Sequence, residues 1–150
     1  MSTGKEFPPE RVREVVKEVA MLLRERGESV SVAETLYTLE SRIAFAGWTQ
    51  ENTKNYKGPT TAIVAGLASN VRAKLGSTYT ICESGTAGPT GGSTPNRTPG
   101  YVALAIATEN EVFERELSTG LGGDREANMV QFAVEALGFL RDVIKGDAKL

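Results

Sequence analysis

Histidine is missing from the 150 residues altogether, and with it go the Ser-His and Cys-His nucleophile pairs, the imidazole general base and nearly every zinc site. Only one cysteine, Cys82, is present, so no disulfide forms within the chain. Its place inside an apolar run reads as a small buried hydrophobe rather than a reactive thiol. No stretch approaches the roughly 18 consecutive apolar residues of a membrane span. The opening MSTGKEFPP has no apolar signal core, so the expected setting is the cytosol, with no membrane partner. A basic surplus is lacking too: the formal net charge is −2, against the positive footprint that nucleic acid demands. Catalysis, if there is any, falls to hydroxyls, carboxylates, lysine, tyrosine and backbone amides, and the expected partner is a small molecule or another protein.

What is present reads as one domain over residues 1–150, long enough for a single core. Val12, Val15, Val16, Val19, Leu22 and Leu23 recur at helical spacing after Pro8 and Pro9 and before Gly27, which predicts an amphipathic helix. A strand is expected at residues 30–34. The stretch 35–56 is ambiguous, with LESRIAFAGW as a candidate short helix. Pro59 in a first turn, Ile63, Val64, Leu67, Val71 and Leu75 on one face and Gly76 beyond predict a second long helix. Residues 78–82 (TYTIC), 101–107 (YVALAIA) and 112–117 read as strands, YVALAIA as a central covered one and the last two joined across a Glu109-Asn110 turn. A final helix runs from an Asp124 cap through Val130, Ala133, Leu137, Leu140 and Ile144. The expected fold class is α/β: a mixed β-sheet with packed helices.

Between TYTIC and YVALAIA, residues 85–100 hold five Gly, three Pro and five Ser or Thr. Loops beyond about 12 residues are uncommon in compact domains and usually functional or disordered; three prolines and two strand anchors make this one ordered. Its glycines at 85, 88, 91 and 92 leave amides open, and the hydroxyls of Ser84, Thr86 and Thr90 can join them around an anionic or carboxamide oxygen. The alternative is that long connections simply collect turn residues. The spacing is not that of a P-loop, since no Gly-Lys-Ser/Thr follows. A second glycine-rich turn, GLGGDR, leads into the last helix, where free amides, the helix dipole and the Arg125 guanidinium suit a phosphate.

These residues carry a family likeness. SGTAGPTGG followed by a strand and then GGDR opening a terminal helix resembles the CinA C-terminal domain, the competence/damage-inducible proteins, and the likeness extends through SVAET and GPTTAIVAGLASNVRAKLG to the last helix. The chain looks closest to stand-alone fungal versions with an internal deletion after Thr35. The resemblance implies a truncated form of the family's domain and release of ammonia from the carboxamide of nicotinamide mononucleotide. It also implies a homo-oligomer and no metal or organic cofactor. Where the family has Ala-Glu-Ser, this chain has Ala33-Glu34-Thr35, which implies Thr35 as nucleophile. A family Tyr-Ser/Thr-Asn-Glu-x-Lys stretch is similar to YTLESR, implying catalytic positions at Tyr37 and Arg42; arginine stabilises charge but cannot act as a base. Ser84, Gly85, Thr86, Ala87, Gly88 and Arg125 would bind substrate, Arg125 through its phosphate.

Family members place a Thr-Gly-Gly, a helix and the start of a strand where this chain has only Leu36. Adjacent parallel strands need a crossover of about a dozen residues or more, so SVSVAE and LYTLES either fuse into one long strand or the local fold is rebuilt. Two further readings stay open beside the amidohydrolase: a pyridine-nucleotide binding protein without turnover, and a structural or interaction module.

Overall fold

The computed structural model describes residues 6–32 and 36–149. Helix α1, Glu10–Arg26, starts after Pro9 and stops at Gly27, whose φ of 62° is the left-handed geometry glycine adopts freely. Val12, Val15 and Val19 are its buried stripe, whereas Val16, expected in that stripe, is 44% exposed. Strand β1 is only Val30–Val32, shorter than the expected 30–34, and residues 33–35 lie outside the described residues.

Helix α2, Leu39–Ala46, opens on Thr38, whose hydroxyl accepts the Ser41 N–H at 3.1 Å. LYTLES is therefore not a strand, and of the two alternatives the rebuilt local fold is the one adopted. A five-residue helix α3, Gln50–Lys54, follows behind a capping box of Thr49 and Asn52. Helix α4 spans Thr61–Leu75 with Thr60 as its cap. This corrects two expectations: Pro59 stands before the cap rather than in the first turn, and Leu75 is 64% exposed rather than on the packed face.

Strand β2, Tyr79–Gly85, runs three residues past TYTIC and takes Glu83, Ser84 and Gly85 out of the expected loop. A short 3-10 turn at Pro95–Arg97 lies within the remaining connection. Strands β3, Tyr101–Ala107, and β4, Val112–Ser118, complete the sheet. Helix α5, Arg125–Lys145, begins where Asp124 accepts the Ala127 N–H at 3.0 Å. The sheet order is β1-β2-β3-β4, with β1 parallel to β2 and the rest antiparallel. The β1-to-β2 crossover carries α2, α3 and α4.

Alternation along YVALAIA builds the two layers. Val102, Leu104 and Ile106 face α1 and α5 in a core with Ile81, Phe132, Phe139 and Leu140. Tyr101, Ala103, Ala105 and Ala107 face α4, whose Val64 and Ala68 settle on this small-residue surface. Every residue of β3 is buried, as a strand covered on both sides must be. Each of its large side chains contributes roughly 1.5–3 kcal/mol by leaving water.

Candidate functional site

The end of β2 is where the backbone turns from sheet to loop. The Thr86 N–H donates to the Tyr101 carbonyl at 2.9 Å and the Gly100 N–H to the Thr86 carbonyl at 2.8 Å, so the loop's two ends are bonded to each other. Farther out, Gly92 N–H reaches the Arg97 carbonyl at 2.8 Å. The Asn96 side chain donates to the Lys57 and Pro59 carbonyls at 3.3 and 2.9 Å, tying the tip to the approach to α4. The Thr86 hydroxyl is turned to the Asn96 carbonyl at 3.4 Å.

Helix α5 holds the near end. Asn128, fully buried, donates to the Ala87 and Gly122 carbonyls at 2.9 Å each and accepts from the Thr119 hydroxyl. Arg125 Nη1 donates to the Gly88 carbonyl at 3.0 Å. The two glycine-rich segments thus lie against each other. The Arg125 side chain is otherwise exposed at the positive end of α5, and the Ala87 and Gly88 N–H groups donate to nothing among the described residues. Two amides without partners, a helix N-terminus and a guanidinium are groups that favour a negative oxygen.

The glycines have a different origin from the one expected. A Cβ at Gly85 would stand 2.6 Å from the Tyr101 carbonyl oxygen, at Gly91 2.5 Å from the Arg97 carbonyl oxygen, and at Gly92 2.9 Å from Arg97 Nε. Those three let the loop fold tightly on itself. Gly88 and Gly100 adopt positive φ, 88° and 97°, that a side chain would strain.

Ser84 is partly buried on β2, on the α4 side of the sheet with Cys82, which packs beside Val64 and Ala68. Burial pushes the Cys82 thiol up to about 12, with the Glu83 charge adding and the Arg42 charge opposing. It is an inert thiol. Arg42 stands near enough to this face to act on Cys82, and it is 7% exposed. Its guanidinium carbon lies 4.9 Å from the Trp48 ring centre and 4.7 Å from that of Tyr56, and Nε donates to the Leu36 carbonyl at 3.1 Å. Nη1 is buried with no partner. A buried donor left unpaired costs about 1–3 kcal/mol, more on a charged group. Tyr37 is 84% exposed, and Thr35 lies outside the described residues.

Ser84 through Gly88 and Arg125 therefore come together, Arg42 stands near the sheet face that carries Cys82 and Ser84 and packs against two adjoining aromatic rings, and Tyr37 projects to solvent. Asn128, Asn96, Trp48, Tyr56 and Glu83 were not anticipated as parts of this region. Two open hollows, of about 830 and 410 Å³, lie elsewhere and contain none of the expected site residues. The first is at the opposite end of the sheet, around Ser77, Thr108 and Gly146; the second lies between α1, β4 and α5.

Glu83 is an exposed residue near the end of β2 whose carboxyl is turned in far enough to lose hydration, which raises its pKa from 4.5, an effect that solvent at the exposed side keeps modest. The folded state thus holds the proton more tightly than the unfolded chain, so this group's contribution to stability falls as pH rises from 4.5 through the folded value. Glu83→Gln should match the parent at pH 4 and melt above it at pH 7, which differential scanning fluorimetry across pH would show. A gap that is constant with pH would remove burial as the cause.

A sequence profile of the CinA C-terminal domain matches residues 35–144. A CinA-like protein of Shewanella piezotolerans is 35% identical over 98 residues, 64% of this chain and 23% of that protein. A putative competence-damage inducible protein of a Thermoanaerobacter species is 29% identical over 110 residues, 73% of this chain and 26% of that one. The chain thus spans about a quarter of the length of these curated relatives. Among solved structures, the competence/damage inducible protein CihA of Agrobacterium tumefaciens superposes with a TM-score of 0.81 at 19% identity, covering 93% of this chain and 99% of that one.

Proposed function

Because the chain belongs to the CinA C-terminal domain family, we propose that it is a nucleotide-binding amidohydrolase of the kind its motifs resemble, acting on the carboxamide of nicotinamide mononucleotide. The observation that carries the reading is the clasp between loop and helix. Arg125 reaches Gly88 at 3.0 Å, and the Ala87 and Gly88 amides beside it are unused by the described residues. A phosphate would sit at the exposed guanidinium and helix end, and the free amides would face a carboxamide oxygen.

In this reading Thr35 is the nucleophile. β1 ends at Val32 beside Ile81, on the strand that carries Ser84 and Gly85 three and four residues farther on. The threonine hydroxyl attacks the carboxamide carbon, amide N–H groups bind the oxyanion, ammonia leaves, and water cleaves the resulting ester to the acid. Arg42 cannot take the hydroxyl proton. Glu83, a carboxyl with a raised pKa at the same strand end, is the group suited to carry it. The reading treats residues 1–150 as one domain.

Incubating the protein with nicotinamide mononucleotide should release ammonia and nicotinate mononucleotide. Thr35→Ala should abolish the release and Arg125→Ala should raise KM. Ammonia no higher than in the Thr35→Ala control would end the catalytic reading. A second reading, binding without turnover, is favoured by an arginine that cannot accept a proton at position 42. It predicts thermal stabilisation, about 2.7 kcal/mol at 100 times Kd, with no ammonia.

A further inference from the structure

Arg42 carries a feature that neither reading uses. It is a permanently charged group, only 7% exposed, with one nitrogen bonded to a carbonyl and another buried and unpaired. No carboxylate forms an ion pair with it among the described residues. A guanidinium that served only to rivet α2 to the turn at Leu36 would need its Nε and its packing, and would gain nothing from a buried Nη1 without a partner. Trp48 and Tyr56 pack against the charge as neighbours, 4.9 and 4.7 Å from it and 5.6 Å from each other, so both rings lie to one side of it. They keep water from that side, and Nη1 is buried, which strengthens any ion that meets it there.

We infer that Arg42 is the receptor for a ligand carboxylate on the Ser84 face of the sheet, so that the pyridine nucleotide this protein prefers is the acid rather than the carboxamide. The inference rests on the nucleotide reading above and narrows its ligand class. A carboxylate brings a full negative charge and two acceptor oxygens in one plane, the geometry a guanidinium edge matches with two charge-assisted bonds. A carboxamide brings one acceptor and turns its NH2 donors toward a donor-only cation. A phosphate is served elsewhere, at the exposed Arg125 on the first turn of α5, where the bulky, hydrated dianion has room. In a hydrolase this arrangement makes the acid product the tighter ligand; in a protein without turnover it makes the acid the physiological one.

The test is calorimetric titration of the whole chain with nicotinate mononucleotide, nicotinamide mononucleotide and ribose 5-phosphate, for the parent, Arg42→Gln and Arg42→Lys. The acid should bind the parent at least 10-fold more tightly than the carboxamide, an expectation set by one charge-assisted pair. Arg42→Gln should bring the two nucleotides to parity while leaving ribose 5-phosphate unchanged, and Arg42→Lys should keep part of the preference. The comparison within the parent needs no variant, so it stands even if Arg42→Gln fails to fold. Equal affinity of the parent for acid and carboxamide overturns the inference but leaves the nucleotide reading intact. Loss of ribose 5-phosphate binding in Arg42→Gln moves Arg42 to the phosphate and also overturns it. Binding of none of the three removes both readings.

Discussion

Asn128→Ala should cost the fold about 2–4 kcal/mol and detach the glycine-rich loop from α5. The side chain is fully buried and satisfies three groups at once: the carbonyls of Ala87 and Gly122, each at 2.9 Å, and the Thr119 hydroxyl. Each buried polar group left without its partner costs about 1–3 kcal/mol, less where water enters the vacated space. Thr119 does not act alone, because its oxygen also accepts the Leu121 N–H at 3.2 Å and a Cβ on Gly100 would meet it at 2.8 Å. The damage should therefore spread to both glycine-rich segments. For a chain of this size roughly 2–4 °C of melting temperature accompanies each kcal/mol, so a fall of several degrees is expected. Amide exchange should speed up at positions 86 and 100, whose N–H groups are bonded across the loop's ends. Asn128→Asp keeps the acceptor for Thr119 but loses both donors and buries a charge, so it should not rescue. A variant that melts like the parent would show that the loop is held by its own internal bonds.

The parts of this architecture that were legible in the sequence are those decided by neighbours along the chain. Gly27 and Gly76 end helices because only glycine takes the left-handed turn cheaply, and Asp124 caps α5 by bonding three residues on. The alternation in YVALAIA fixes both layers, since its large residues face two helices and its alanines face one. The two short helices α2 and α3 also had local signals, Thr38 three residues before Ser41 and Thr49 three before Asn52. Eight- and five-residue segments with little periodicity hide such caps. What could not be read was decided across the fold. Ser84 and Gly85 are strand because Ala103 and Val102 of β3 pair with them. Asn128 looks like an indifferent residue in a helix until the loop carbonyls arrive. Arg42 was named for its place in a motif, but the rings that flank it come from 6 and 14 residues downstream, folded back by turns after α2 and α3. The close packing at Gly91 and Gly92 could not be read either, because a glycine's letter does not show what its missing Cβ would meet.

Gly85→Ala should be clearly damaging, and it isolates what the end of β2 contributes. Its φ is ordinary, so the penalty is one of space. The added Cβ would lie 2.6 Å from the Tyr101 carbonyl oxygen and 2.9 Å from Phe132 Cε2. The ring can turn slightly. The carbonyl cannot, because the same oxygen accepts the Thr86 N–H at 2.9 Å and belongs to the first residue of β3. Relief requires parting the Gly85–Val102 pair and shifting the residues that follow, the ones proposed to hold substrate. Overpacking of this kind costs about 1–3 kcal/mol, and the upper half of that range is expected here because backbone rather than side chain must give way. Gly138→Ala is the matched control. It lies inside α5, where a Cβ would meet nothing within 4 Å, and relief of glycine's conformational freedom should add about 0.5–1 kcal/mol. Chemical denaturation of the two variants should therefore move the midpoint in opposite directions, and nucleotide binding should be lost only with Gly85→Ala. If Gly85→Ala were stable and bound nucleotide normally, the close approach of β2 to the Tyr101 carbonyl would have no part in shaping the loop, and the proposed clasp would rest on Arg125 and Asn128 alone.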